Sequence, residues 1–191
     1  MISVQQLAVG GFDHNFSYLI SSGGEAALVD PTGSLEVLRS ALHVGLTLRY
    51  ILLTHHHRDH CGAVSAIFSD TPVPVLGHKD FADRERIALG DDFIEVIFTP
   101  GHTTDSVCYR AGDALLTGDT LFVDYIGFGR PRRLFETLRQ VIYPLPDELI
   151  VYSGHDYGHA PFTTLGEQKR NNQYLRCATY EEFRNAFRKL D

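Results

Sequence analysis

A chain of 191 residues, 43% hydrophobic and 21% charged, has the length and residue usage of an ordinary globular domain with a sizeable core. Its net charge of −7 argues against a nucleic-acid partner, because phosphate binding calls for a basic face. No stretch is long and apolar enough to span a membrane, and the start, Met1-Ile2-Ser3-Val4-Gln5-Gln6, lacks the pattern of a secretion signal.

Along the chain, Val4 to Val9, Phe16 to Ser21 and Ala26 to Asp30 read as successive strands, with turns at Gly10-Gly11 and Gly23-Gly24. Ser34 to Val44 reads as a helix with Leu35, Leu38 and Leu42 on one face, Ser34 as its cap and Gly45 as its stop. Strand-like apolar runs follow at Tyr50 to Leu53, Phe93 to Phe98, Ala114 to Leu116 and Leu149 to Tyr152. Two more amphipathic segments, Arg133 to Val141 and Glu181 to Leu190, read as helices. No internal repeat divides the sequence, and residues 1–191 read as a single domain. Cys61, Cys108 and Cys177 are far apart and form no Cys-x-x-Cys, so a reducing, cytoplasmic setting is expected.

The run Thr54-His55-His56-His57-Arg58-Asp59-His60 places four imidazoles and a carboxylate within six positions, directly after an apolar strand. Imidazole and carboxylate are natural ligands for zinc, iron or manganese, and without a cation such crowding would lose hydration for little gain. Three further islands follow strand-like runs: Pro100-Gly101-His102-Thr103, Thr117-Gly118-Asp119-Thr120 and Ser153-Gly154-His155-Asp156. Glycine permits a sharp turn there, so each neighbouring His or Asp can point off the end of its strand. Four strand ends carrying such ligands describe one site on the rim of a sheet. His14, His43, His56, His78 and His159 stand outside this pattern, with His14 and His56 nearest to it. Cys61, beside His60, is expected to line the site without serving as a ligand.

These motifs, with Asn15 to Ile20 and Leu28-Val29-Asp30-Pro31, resemble the metallo-β-lactamase superfamily over nearly the whole chain. The resemblance implies an α/β fold, a four-layer αββα sandwich with helices outside two stacked mixed sheets. It implies two divalent metal ions, zinc foremost and iron or manganese as alternatives. One metal would take His55, His57 and His102, the second Asp59, His60 and His155, and Asp119 would bridge them. Asp30 would support the histidine loop without ligating metal.

Two cations a few ångströms apart lower the pKa of a shared water towards neutrality and polarise a carbonyl oxygen, so a metal-bridging hydroxide is the expected nucleophile. A thioester suits such a site, because a thiolate whose conjugate acid has a pKa of about 8.5 leaves without a general acid. Gly154-His155-Asp156-Tyr157 and the run from Asp119-Thr120-Leu121-Phe122 to Gly129-Arg130 resemble the glyoxalase II and persulfide dioxygenase branch, whose substrates are glutathione conjugates. The resemblance implies catalytic roles for Asp59 and Asp119, and contacts from Arg130 and Tyr157 to the thiol peptide. Arg130 also forms a basic cluster with Arg132 and Arg133, apt for a carboxylate-bearing substrate, although three arginines can equally decorate a helix start.

The leading expectation is therefore a metal-dependent hydrolase of a thioester such as an acyl-glutathione. The alternative is an iron-dependent glutathione persulfide dioxygenase using His55, His102 and Asp119. The segments Thr163 to Asn171 and Tyr180 to Phe183 resemble the tail of persulfide dioxygenases and of small single-domain relatives. A β-lactamase fits less well with the Tyr157 island, and a metal-stabilised binding module fits least, since no ligand position is lost. The partner is a small thiol-derived molecule, with neither nucleic acid nor membrane, and the oligomeric state is left open.

Overall fold

The computed structural model describes residues 1–42 and 45–190. One sheet runs in the order β1 (Ser3–Gly10), β2 (Asn15–Ser22), β3 (Glu25–Val29), β4 (Thr47–Leu52) and β5 (Val75–Leu76). Its first three strands are antiparallel, and β3, β4 and β5 run parallel. The other sheet holds β6 (Arg86–Leu89), β7 (Asp92–Phe98), β8 (Val107–Ala111), β9 (Ala114–Gly118), β10 (Ile150–Ser153) and β11 (Thr163–Thr164). There only the β9–β10 pair is parallel.

Period-two alternation sorts the strand side chains onto opposite faces. Phe16, Tyr18 and Ile20 of β2 meet Ile94, Val96, Tyr109 and Leu116 between the sheets. The opposite face of the first sheet, with Leu19, Leu28 and Ile51, packs against Leu38 of α1 (Leu35–Leu42) and Ile67 of α3 (Val64–Asp70). Ile97, Cys108, Leu115 and Val151 of the second sheet turn outwards to Leu134 of α4 (Pro131–Thr137), Leu165 of α5 (Leu165–Asn171) and Phe183 of α6 (Tyr180–Phe187). The layers are thus helix, sheet, sheet, helix, as the sequence implies. Each such side chain, fully buried, contributes about 1.5–3 kcal/mol.

The helix boundaries differ from the sequence reading for local reasons. Ser34 Oγ accepts from Val37 N (3.4 Å) as the expected cap, whereas the end of that helix, at 43 and 44, lies outside the described residues. The segment read as Arg133 to Val141 starts earlier, because Pro131 occupies the first turn, where its missing N–H costs nothing. It continues through Leu138–Ile142 with the wider spacing of a π-helix. The last helix begins at Tyr180, where Thr179 and Glu182 cap it reciprocally, and ends at Phe187 rather than Leu190.

This topology builds a rim. β7 and β9 are each antiparallel to β8, and β10 is parallel to β9, so β7, β9 and β10 all end on one edge. The chain leaving β4 joins that edge through Val107 N donating to Thr54 O (2.8 Å). Phe16 N donates to Gly154 O (2.9 Å), which ties the start of β2 to it as well.

Candidate metal centre

The seven residues expected as ligands meet at this rim in two adjoining groups. His55, His57, His102 and Asp119 form one, and Asp59, His60 and His155 the other; within each, the candidate donor atoms lie within 4.8 Å of one another. Asp119 faces both. Its Oδ2 lies 3.5 Å from His102 Nε2 and 3.4 Å from His155 Nε2, and its Oδ1 lies 3.2 Å from His60 Nε2.

Four of the five ligand imidazoles are held from behind, which settles which ring nitrogen faces inward. His60 Nδ1 donates to Asp30 (3.0 Å), His155 Nδ1 to the Asp13 carbonyl (2.7 Å), and His102 Nδ1 to the Phe128 carbonyl (2.5 Å). The Thr54 hydroxyl donates to Asp30 (2.6 Å), so it accepts from His55 Nδ1 (3.1 Å). In all four rings Nε2 is therefore the nitrogen turned inward, and all four converge. His60 and His155 approach through Nε2 at 3.3 Å, and His102 Nε2 lies 3.0 Å from His57 Nδ1. His55 Nε2 is buried with no hydrogen-bond partner among the described residues. Facing lone pairs repel unless a proton or a metal cation lies between them, so the donor set fits metal ions.

The proton affinities follow from the same crowding. Burial pulls the His60 pKa down, but Asp119 and Asp30 on either side outweigh it and raise it to about 11. Burial, with the charge of His60 added, pushes His55 down to about 4. Burial acts against the Asp119 carboxylate, yet hydrogen bonds from His155 and His60 hold it well below the usual carboxylate range.

Two glycines are needed for this approach. Gly118 has φ +48, and a Cβ there would meet Thr54 Oγ1 at 2.5 Å. A Cβ on Gly154 would run into Asp119 Oδ1 and lie 2.6 Å from His60 Cε1.

A family model described as the metallo-beta-lactamase superfamily matches residues 10–92 and 79–155. The chain belongs to that superfamily. Hydroxyacylglutathione hydrolase of Hahella chejuensis is 37% identical over 168 residues, covering 79% of this chain and 65% of that protein. The enzyme of the same name from Anaeromyxobacter dehalogenans is 40% identical over 157 residues, covering 75% and 62%. The chain thus spans just under two thirds of the length of these curated relatives. The crystal structure of ETHE1 from Myxococcus xanthus superposes with a TM-score of 0.88 at 32% identity, covering 99% of this chain and 91% of that one.

In this metallo-beta-lactamase fold the two residues expected at the substrate are placed apart. Tyr157 lines a cleft of about 540 Å³ that opens onto His102, Asp119 and His155, and its ring stacks on His155 with centroids 4.9 Å apart. Its hydroxyl donates to the Asp13 carboxylate, and burial together with that carboxylate pushes its pKa up. Arg130, at the start of α4, lines a different groove with Arg133, Gly101, Thr103 and Thr104. Cys61 turns its thiol to the His57 carbonyl (3.2 Å), and His56 holds Asp105 (2.5 Å).

Several contributors were not singled out from the sequence. Asn15 Nδ2 donates to Asp59 Oδ2 (3.3 Å), Thr54 connects His55 to Asp30, and the carbonyls of Asp13 and Phe128 orient two histidines. Thr54 was legible as the residue opening the histidine run. The two carbonyls carry no side-chain signal at all.

Proposed function

We propose that this chain is a metallohydrolase that cleaves a thioester such as an acyl-glutathione. The observation that carries the reading is Asp119, whose two oxygens face imidazoles of both ligand groups at 3.2–3.5 Å, as a carboxylate shared by two ions must. His55, His57 and His102 would hold one ion and Asp59, His60 and His155 the other, with zinc the metal that the His/Asp donor set suits. Such ions, when bound, lower the pKa of a coordinated water and polarise a carbonyl oxygen.

The chain's own residues supply orientation. Asn15 steadies Asp59, Asp30 fixes His60, and Asp119 stays ionised at neutral pH. Among the described residues no lysine or arginine lines the cleft, and the Tyr157 hydroxyl is committed to Asp13. A site so short of proton donors suits a leaving group that needs none, such as a thiolate. Arg130, exposed beside Arg133 in the adjacent groove, is placed to take a carboxylate of the thiol peptide, with Tyr157 in the cleft wall. The name hydroxyacylglutathione hydrolase borne by the curated relatives supports this substrate class. The proposal includes one domain over residues 1–191 and a cytoplasmic setting. The second point is supported by cysteines that are unpaired among the described residues and by the lack there of any helix long and apolar enough to cross a membrane.

A second reading, an iron-dependent glutathione persulfide dioxygenase using His55, His102 and Asp119, is favoured by the tail. The segments that resemble persulfide dioxygenases form α5 and α6, and α6 packs onto the outer face beside α4. Incubating the metal-loaded protein with S-lactoylglutathione, and separately with glutathione persulfide under an oxygen electrode, separates the two. Hydrolysis proceeds without oxygen and with zinc. Oxygen uptake that tracks iron content, with sluggish thioester cleavage, would replace the hydrolase reading by the dioxygenase.

A further inference from the structure

The cleft beside the metal ligands is lined by two unlike sets of side chains. Asp13, Asp59 and Asp119 are carboxylates, whereas Phe122, Tyr125, Ile126, Phe128 and Leu190 are aromatic or apolar. Large rings usually collapse onto a core, yet here Phe128 is 63% exposed and Tyr125 43%.

Their backbone holds them out. The Phe128 carbonyl accepts from His102 Nδ1, and the Tyr125 carbonyl accepts from Phe122 N (3.0 Å) and Asn172 Nδ2 (3.1 Å). Asp124 N donates to Gln168 Oε1 (2.8 Å). The Phe128 ring is braced against Phe187 of α6 with centroids 5.4 Å apart. An apolar surface kept open by so many anchors is a binding surface.

Its occupant follows from position and charge. Phe122 lies edge-on to His155 with centroids 5.7 Å apart, so a group on this surface is continuous with the ligand cluster. Among the described residues the cleft has no lysine or arginine to receive the carboxylates of the thiol-peptide half, and the arginines that could receive them lie in the neighbouring groove. The half left for the apolar surface is the acyl group. We infer that Phe122, Tyr125, Ile126, Phe128 and Leu190 form a slot for an apolar acyl chain of several carbons, so that the preferred thioester is longer and less polar than a lactoyl ester. This inference rests on the thioester reading above.

The test uses the metal-loaded chain and S-methyl-, S-butyl- and S-hexyl-glutathione, thioethers that cannot be hydrolysed, titrated by calorimetry. Affinity should rise about two- to fourfold per added methylene as the chain is buried. Phe128→Ser and, independently, Tyr125→Ser should cut that slope by more than half with metal content and circular dichroism unchanged. Phe128 is 63% and Tyr125 43% exposed, and a thermal melt of each variant within a few degrees of the parent checks that the core beneath, Phe187 included, is kept. A flat slope in the parent chain, no binding of any thioether, or the same slope in both variants would overturn the slot. Turnover of acetyl-, butyryl- and hexanoyl-glutathione, measured alongside, isolates the reading beneath it. A steep binding slope with no turnover refutes the hydrolase and leaves the slot, whereas rapid turnover with a flat slope refutes the slot alone.

Discussion

Replacing Asp30 by asparagine removes one charge and almost no volume, and its consequences can be followed atom by atom. Asp30 is 2% exposed and accepts from Thr54 N (2.7 Å), the Thr54 hydroxyl (2.6 Å) and His60 Nδ1 (3.0 Å). Its backbone is left-handed, with φ +49, a conformation asparagine tolerates, so Asp30→Asn isolates the carboxylate from the turn it sits in. An amide has one acceptor oxygen where the carboxylate has two. If its NH2 takes the Oδ1 place, it opposes the Thr54 N–H; if it takes the Oδ2 place, His60 Nδ1–H loses its acceptor. One charge-assisted bond is lost in either case and the others weaken, which costs about 2–4 kcal/mol in total. For a chain of this size that is a fall in Tm of about 5–15 °C. With Nδ1 unsupported, the His60 ring can carry its proton on Nε2 and cease to offer a ligand lone pair, so metal affinity should drop about 10- to 100-fold. Urea unfolding of the metal-free protein gives the first number and competition with a chelator the second. A variant within 0.5 kcal/mol of the parent that also retains its metal affinity would refute the claim that Asp30 orients the site, by the ~0.5 kcal/mol scale of unremarkable surface changes.

Asp119→Ala should lose most of both metal equivalents, because one carboxylate faces both ligand groups; elemental analysis showing one full equivalent retained would contradict the bridging role. Metal binding should strengthen with pH. The His60 pKa of about 11 means that a proton must leave before its Nε2 can ligate, so affinity should rise by up to about tenfold per pH unit between about 6.5 and 9, with proton release seen by calorimetry in buffers of different ionisation heat. The sign reverses for the metal-free fold: the raised His60 pKa stabilises it fully below about 6.5, and that contribution is lost as pH climbs towards 11. Gly154→Ala should fold yet bind metal poorly, since the new methyl displaces Asp119 and His60; unchanged stoichiometry by elemental analysis would show that the loop yields. Arg130→Ala and Tyr157→Phe should raise KM for glutathione thioesters with metal content intact, as loss of uniform binding requires, and steady-state kinetics unchanged in both would remove these residues from the substrate site.

Much of the site could be read from the chain because metal ligation constrains residue type at each position. His55, His57, Asp59, His60, His102, Asp119 and His155 stand in four islands, each following an apolar run, and the structure gathers them at one rim. The first three strands and the cap at Ser34 were legible for a similar reason: alternation, glycine turns and a hydroxyl before an amphipathic run are local signals. The short β5 and β11, two residues each, were not, because pairs that short carry no period of their own. Nor was the early start of α4, where Pro131 precedes the apolar stripe by which the helix was recognised.

What the sequence determined by itself is therefore the candidate ligands, from side-chain types at the ends of apolar runs, and the resemblance to the superfamily that those motifs carry, which in turn implied the layered fold. Only the tertiary structure decided which nitrogen of His55, His60, His102 and His155 faces inward, through acceptors as remote in sequence as the Asp13 carbonyl behind His155. It alone put Arg130 and Tyr157 on different cavities and gathered apolar rings and carboxylates into one cleft. The physical reason is that backbone carbonyls and the lining of a cleft are properties of three-dimensional juxtaposition, and they leave no residue pattern along the chain.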